Sequence, residues 1–314
     1  MENNKDWLKS LDHKETNNIN KFLSILEIDF SNIIKVSVSG NSFRVTTITA
    51  LKEVLNTKKF YSGALIFSND LDEIISYKNR YIDLESFEFH LGCIRTISEE
   101  SNLEIGYFEA IYLAGLNFFR EQKAPIILVE NAFSFIKDID FKYELLTDYS
   151  NNELIYSYSK INKKDYYLYS SELCSFSYNN LDYDVLNYGS FCAFPYILAI
   201  YFINQVFPEI KDKKIKKIIE DIKPNLIFER VNRNPRVIIN YVVNDIEITD
   251  SINYLKSITN RNIITVSNID SDVTYVIKEV YELDRIIKEA DINDIIFIIV
   301  NKVLVKDIKL FFIN

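Results

Sequence analysis

Ser39-Gly40 close a run of β-branched residues, and Arg44, Thr46 and Thr47 follow at the start of a helical pattern. A glycine, a cation and two hydroxyls thus fall within one turn of chain. That order suits phosphate binding. A helix N-terminus offers free N–H groups to an anion, and a glycine before it lets the backbone approach closely. The cation here is arginine, whose planar fork pairs with phosphate but is not the compact point charge of lysine. Phe43 and Val45 flank it where a phosphate loop carries glycines. Val disfavours positive φ, and Phe adds bulk where backbone amides must approach. A second candidate, Glu130, ends the apolar run Ala124 to Val129, and open α/β sheets carry their sites at such strand ends. With only His13 and His90 and no C-x-x-C pair, the chain argues against a zinc site.

Elements of alternating type must position these residues. Trp7, Leu8 and Leu11, then Ile19, Phe22, Leu23 and Leu26, predict an N-terminal helical pair. Ile33 to Val38 reads as a strand, and Ile48, Leu51 and Leu55 as one face of the next helix. Helices follow over Phe87 to Ile97 and Ile105 to Phe119, the second apolar nearly all round and so buried. APIILV then reads as a parallel-sheet strand. From Lys142 to Ser190 alternating Tyr and Ser predict antiparallel strands whose tyrosines cover a sheet face. Helices at Phe194 to Phe207 and Ile215 to Ile222 come next, the lysines at 211–217 forming a solvated face. After Pro235 strand and helix alternate through RVIINYVV, Ile248 to Ile258, NIITVS, Ile277 to Ala290 and DIIFIIV. The expected domains are 1–234 and 235–314.

The chain has 314 residues, 36 basic against 45 acidic, and a net charge of −9. This acidity argues against nucleic-acid binding. No signal peptide is visible in Met1 to Asp12, and the longest uncharged apolar run, Ala193 to Ile203, is too short to span a bilayer. Three isolated cysteines, Cys93, Cys174 and Cys192, fit a reducing, cytoplasmic setting. Only six glycines are present, which leaves few positions for tight phosphate-cradling turns. Glu109 is expected on a helix flank, both histidines in solvent, and Cys192 in the core.

The run VSVSGNSFRVTT resembles the phosphate loop of folylpolyglutamate synthases, in the Mur ligase superfamily, where it reads A-G-T-N-G-K-G-[ST]-[ST]. Further echoes follow in the family's order. Ser68-Asn69-Asp70-Leu71 is similar to S-P-H-L, and Tyr107-Phe108-Glu109 reproduces Y-F-E. IILVENAFSFIKDIDF resembles the family's acidic strand and keeps Glu130 and Asp138. Gly189 to Tyr196 resembles G-x-H-Q-x-x-N-A, with Phe191 for His and Pro195 for Asn. Pro224 with Glu229-Arg230-Val231 resembles P-G-R-L-E-R-V. In PRVIINYVVN, Asn240 stands for the family's Asp, Val243 for its His, and Asn244 keeps its Asn.

The resemblance implies an α/β fold: a P-loop-NTPase-like Mur ligase central domain, its mostly parallel sheet reduced and joined to an antiparallel segment, then a small Rossmann-like α/β C-terminal domain. It implies a degenerate phosphate loop at 38–47. It places Gly40, Arg44, Thr46, Thr47, Asn240 and Asn244 at ATP, and Ser68 and Glu130 at Mg²⁺. It assigns no catalytic residue. An H-x-D motif for the metal and an E-K-A-G segment for a carbamylated lysine are missing, and the chain is shorter than typical members. The expected function is therefore that of a ligase relative with eroded ATP and Mg²⁺ motifs, catalytically inactive, binding a folate-type small molecule or a protein partner. The alternatives are an active divergent ligase adding glutamate to folate, and an unrelated two-domain α/β binding protein.

Overall fold

Apolar stripes at helical spacing and β-branched runs build two contact-dense units. One comprises Met1–Ile161 and Leu198–Ile215, the other Asn162–Ile197 and Lys216–Asn314. A computed structural model describes the chain outside residues 1–2, 41–42, 68–70, 139–140, 149–152, 157–158, 170–172, 223–227, 242–244, 270–272, 301 and 314.

The first unit opens with α1 (Asn4–Ser10) and α2 (Ile19–Ile25). β1 (Ile34–Gly40) leads into α3 (Arg44–Thr57), β2 (Ser62–Leu65) and the hairpin of β3 (Ile75–Tyr77) and β4 (Arg80–Tyr81). α4 (Leu84–Ser101), α5 (Tyr107–Glu121), β5 (Ile126–Glu130), β6 (Tyr143–Asp148), β7 (Glu153–Tyr156) and β8 (Ser159–Lys160) follow. The strands form one sheet in the order β4-β3-β2-β5-β1-β6-β7-β8. β2, β5, β1 and β6 run parallel, and antiparallel strands extend both edges.

Alternation along β5 divides it between two faces. Ile127 and Val129 join the core made with α1, α2, α4 and α5. Leu128 and Glu130 turn to the opposite face, and α3 packs on β1, β2 and β5. Gly63 of β2 lies against α5, where a Cβ would come within 2.7 Å of the Phe119 ring.

The second unit contains β9 (Tyr166–Leu168), β10 (Leu173–Tyr178) and β11 (Leu181–Tyr188). α6 (Ala193–Val206) and α7 (Asp212–Asp221) contribute to both units. β12 (Glu229–Arg233), β13 (Arg236–Tyr241), α8 (Asp245–Ile258), β14 (Ile263–Ser267), β15 (Tyr275–Val276), α9 (Glu282–Glu289), β16 (Ile295–Val300) and α10 (Lys302–Ile313) complete it. The sheet order is β15-β14-β16-β13-β12-β11-β10-β9. Its first four strands are parallel, and the rest antiparallel.

Both units are mixed α/β, as expected, and each sheet has a parallel set of strands. Several details differ. The expected division at 234/235 falls in the β12–β13 turn, inside the second unit. The 142–190 stretch is not one antiparallel region: β6 pairs parallel with β1, whereas β9 to β11 belong to the other sheet. Short strands β2, β3, β12 and β15 were not expected, because four or fewer apolar residues carry little periodic signal; helix α10 was not expected either.

Two polar residues are buried against expectation. Glu109, 1% exposed, sits at the third position of α5 and closes its first turn. Its Oε2 accepts from Gly106 N at 2.8 Å and Thr16 Oγ1 at 2.7 Å, and its Oε1 accepts from Thr16 N at 2.8 Å. Helix starts leave N–H groups without partners, and this carboxylate satisfies one while pinning the preceding loop. His90, 2% exposed, shares the inward stripe of α4 with Phe87, Leu91 and Ile94. Its Nδ1 lies 3.0 Å from Asn117 Nδ2, and its Nε2 3.5 Å from Glu121. His13 is exposed, as expected, and stacks on Tyr107. Cys192 is buried, as expected.

Glu109→Ala leaves the Gly106 and Thr16 donors unmatched and should lower the unfolding free energy by about 1–3 kcal/mol in urea denaturation; an unchanged midpoint would refute the capping role. Burial holds the His90 pKa below its ordinary value of 6.5, against the pull of Glu121 and with help from Arg120. The unfolded chain therefore takes up this proton first, and stability falls as pH drops below the unfolded value. Thermal midpoints measured from about pH 8 to 5 should decline less steeply in His90→Gln than in the parent.

Candidate functional site

β1 ends at Gly40, at the C-terminal edge of the parallel strands. Gly40 has φ 121°, a backbone region open to glycine and strained for other residues. Residues 41–42 lie outside the described chain. Phe43 then precedes α3 in the left-handed region at φ 63°, its ring buried. Such a conformation costs a non-glycine residue about 1–2 kcal/mol, and ring burial offsets it. Thr47 N donates to the Phe43 carbonyl at 2.9 Å, which starts the helix.

Arg44, the first residue of α3, is where the site closes on itself. Its Nε donates to Glu130 Oε1 at 3.0 Å, and its Nη1 donates to the Gly40 carbonyl at 2.6 Å. The Glu130 side chain is completely buried and that of Arg44 is 27% exposed. Three features bring them together. Glu130 is the last residue of β5, it stands in register with Val38 of β1, and alternation turns it to the α3 face. The guanidinium thus bridges the carboxylate and the backbone of the loop. A buried carboxylate without metal or cation is costly, and Arg44 supplies the cation.

Thr46 and Thr47 are both buried on the first turn of α3. The Thr47 Oγ1 has no hydrogen-bond partner among the described residues. In the second unit Asn240 Oδ1 accepts from Phe228 N at 3.2 Å and its Nδ2 donates to Ser251 Oγ at 2.9 Å. Both ends of that amide are therefore engaged in joining β13 to its neighbours. Ser68 and Asn244 lie outside the described residues. Asp138 ends a 3₁₀ turn, Ser134–Asp138, and its side chain is likewise outside them. Among the described residues no group of three or more His, Cys, Asp or Glu could hold a metal ion, and no helix is long and apolar enough to cross a membrane.

No protein-family model matches the sequence, and a comparison with curated proteins finds no match. Solved structures match over nearly the whole chain. Folylpolyglutamate synthetase from Lactobacillus casei superposes with a TM-score of 0.73 at 12% identity, covering 99% of this chain and 100% of that one. The bifunctional folylpolyglutamate synthase/dihydrofolate synthase from Yersinia pestis CO92 gives 0.70 at 10% identity, covering 98% of both chains. The chain has the folylpolyglutamate synthase fold. A bifunctional synthase of this fold was solved with Mn, AMPPNP and L-glutamate bound, and a further synthase with AMPPCP and folate. These ligands belong to those proteins.

Within the folylpolyglutamate synthase fold, sequence reasoning named Arg44 for phosphate and Glu130 for metal but missed that they pair with each other. The two lie 86 positions apart, and only the strand order β5-β1 brings them together. Removing the cation should expose the cost of the buried carboxylate. Arg44→Met is expected to lower stability by about 2–4 kcal/mol, and Arg44→Met with Glu130→Gln to recover a large part of it. Urea denaturation of the two single variants and the double variant measures this coupling, and additive losses would show that the pair carries none.

Proposed function

We propose that this chain is a folylpolyglutamate-synthase-like protein, of the ATP-dependent carboxylate–amine ligase lineage, whose nucleotide site is closed from within and no longer ligates. The Arg44–Glu130 pair carries this reading. A Mg²⁺ ion takes carboxylate oxygens in near-ideal octahedral geometry. Here a guanidinium sits against Oε1 and cancels the charge that would draw the ion in. A phosphate at the loop would have to take Arg44 away from both Glu130 and the Gly40 carbonyl. The residues therefore do not fit a Mg²⁺–ATP pair as they stand. Asn240, committed to Phe228 and Ser251, supports the same view.

The remaining role is binding or scaffolding, with a folate-type small molecule or a protein as the partner. The net charge of −9 supports no role with nucleic acid, and the three isolated cysteines support a cytoplasmic setting. One observation favours an active, divergent ligase instead. The Thr47 hydroxyl, assigned by the resemblance to the nucleotide site, is buried and unpartnered, a state that a ligand would relieve.

Calorimetric titration of the purified chain with AMPPNP and Mg²⁺ decides between them. The closed site predicts no binding at millimolar nucleotide and no ATP-dependent joining of glutamate to a folate. Micromolar binding that vanishes in Arg44→Ala, or turnover that vanishes in Glu130→Ala, would establish the active ligase.

A further inference from the structure

The outward face of β9, β10 and β11 carries two aromatic rings and two carboxylates in positions that strand register sets. Tyr167 pairs with Ser177, and Ser177 with Asp182. In the next row Ser175 pairs with Asp184, and Tyr169, the residue after β9, donates its N–H to the Ser175 carbonyl at 3.0 Å. Alternation therefore places all six residues on one face. Phe176 and Tyr183 occupy the other face, buried, with stacked rings 4.8 Å apart. The outward tyrosines stay in solvent: Tyr167 is 62% exposed and Tyr169 52%.

These two rings are held against each other and against a carboxylate. Their centroids lie 5.2 Å apart and their planes meet at 72°, so the pair forms a corner. The Tyr169 hydroxyl donates to Asp182 Oδ1, and this hydrogen bond raises the Tyr169 pKa from its ordinary value. Ser175 Oγ donates to Asp184 Oδ1 at 2.9 Å. Each carboxylate thus has one oxygen engaged and one without a hydrogen-bond partner among the described residues. Two cations approach from the β11 side. Lys216 donates to the Asp182 carbonyl and pairs with Glu220, and Arg230 acts on Asp184. Among the described residues no cation lies over the Tyr167 or Tyr169 ring.

We propose that this corner binds the alkylated ammonium group of a small molecule, its methyl groups against the Tyr167 and Tyr169 rings and its charge facing Asp182. The π face of a tyrosine is negative and attracts a cation, most effectively one that carries methyl groups in place of N–H donors. The Asp182 carboxylate attracts the same charge, so rings and carboxylate act together. A neutral apolar group of the same shape gains only the ring contact. A bare metal ion would need converging oxygen ligands, and no group of three or more acidic, His or Cys side chains gathers among the described residues. The site lies within the second unit and uses no residue of the phosphate loop, so it stands whether or not the ligase site is closed.

Choline and its uncharged carbon isostere dimethylbutanol test this on the full chain at constant ionic strength, with heat of titration and tyrosine ring-proton shifts as readouts. Choline should bind in the millimolar range and shift tyrosine ring signals, and the isostere should do neither. Tyr167→Leu keeps the bulk without the ring and should weaken choline binding about threefold or more. Asp182→Asn removes the charge, leaves an acceptor for Tyr169, and should weaken binding to a similar degree; it also guards against a strand-edge defect in the first variant. Equal binding of choline and the isostere would reduce the corner to an apolar contact and overturn the proposal. Silence toward choline overturns it as well, and so does an affinity unchanged in either folded variant, which would place the cation elsewhere.

Discussion

β5 lies between β1 and β2, and that parallel pairing constrains both the core and the site. A strand in the middle of a parallel sheet is covered on both faces, so every side chain it carries must be apolar or partnered. Ile126 to Val129 meet the first condition. Glu130, at the strand end, meets the second through Arg44. The same ladder that buries the strand delivers the carboxylate to the loop after β1. The ion pair is therefore a consequence of register, and its chemical effect is to join the loop, the helix start and the strand end into one hydrogen-bonded unit.

Arginine makes that arrangement possible in a way that lysine would not. Its planar group offers several donors at fixed angles, so one nitrogen can serve Glu130 while another serves the Gly40 carbonyl. Phe43, a buried ring in a left-handed conformation, precedes the helix at the end of the same loop. Loop, cation and ring meet at the start of α3, where the buried Thr47 hydroxyl has no hydrogen-bond partner among the described residues.

Other polar residues that look chemical in the sequence also have partners inside the fold. Glu109 closes the first turn of α5, His90 meets Asn117 between two helices, and Asn240 links β13 to Phe228 and Ser251. Each is buried, and burial demands a hydrogen bond.

The amino-acid sequence determined the order of most helices and longer strands, since apolar residues at intervals of two or of three and four can fold only one way against a core. It also carried the strand–turn–helix at 38–47 and the ordered echoes of a known fold, readable because they are local. Tertiary structure decided the rest. Whether Tyr143 to Tyr156 and Tyr166 to Tyr188 join one sheet or two depends on pairing between distant strands, and alternating Tyr and Ser is compatible with either. Short strands such as β2 depend on neighbours for their existence. Glu109 and His90 read as solvent-facing because charge and polarity are local properties, whereas burial depends on which helix packs opposite. The partnership of Arg44 and Glu130 was invisible for the same reason: each residue type allows several roles, and only the β5–β1 register selects one.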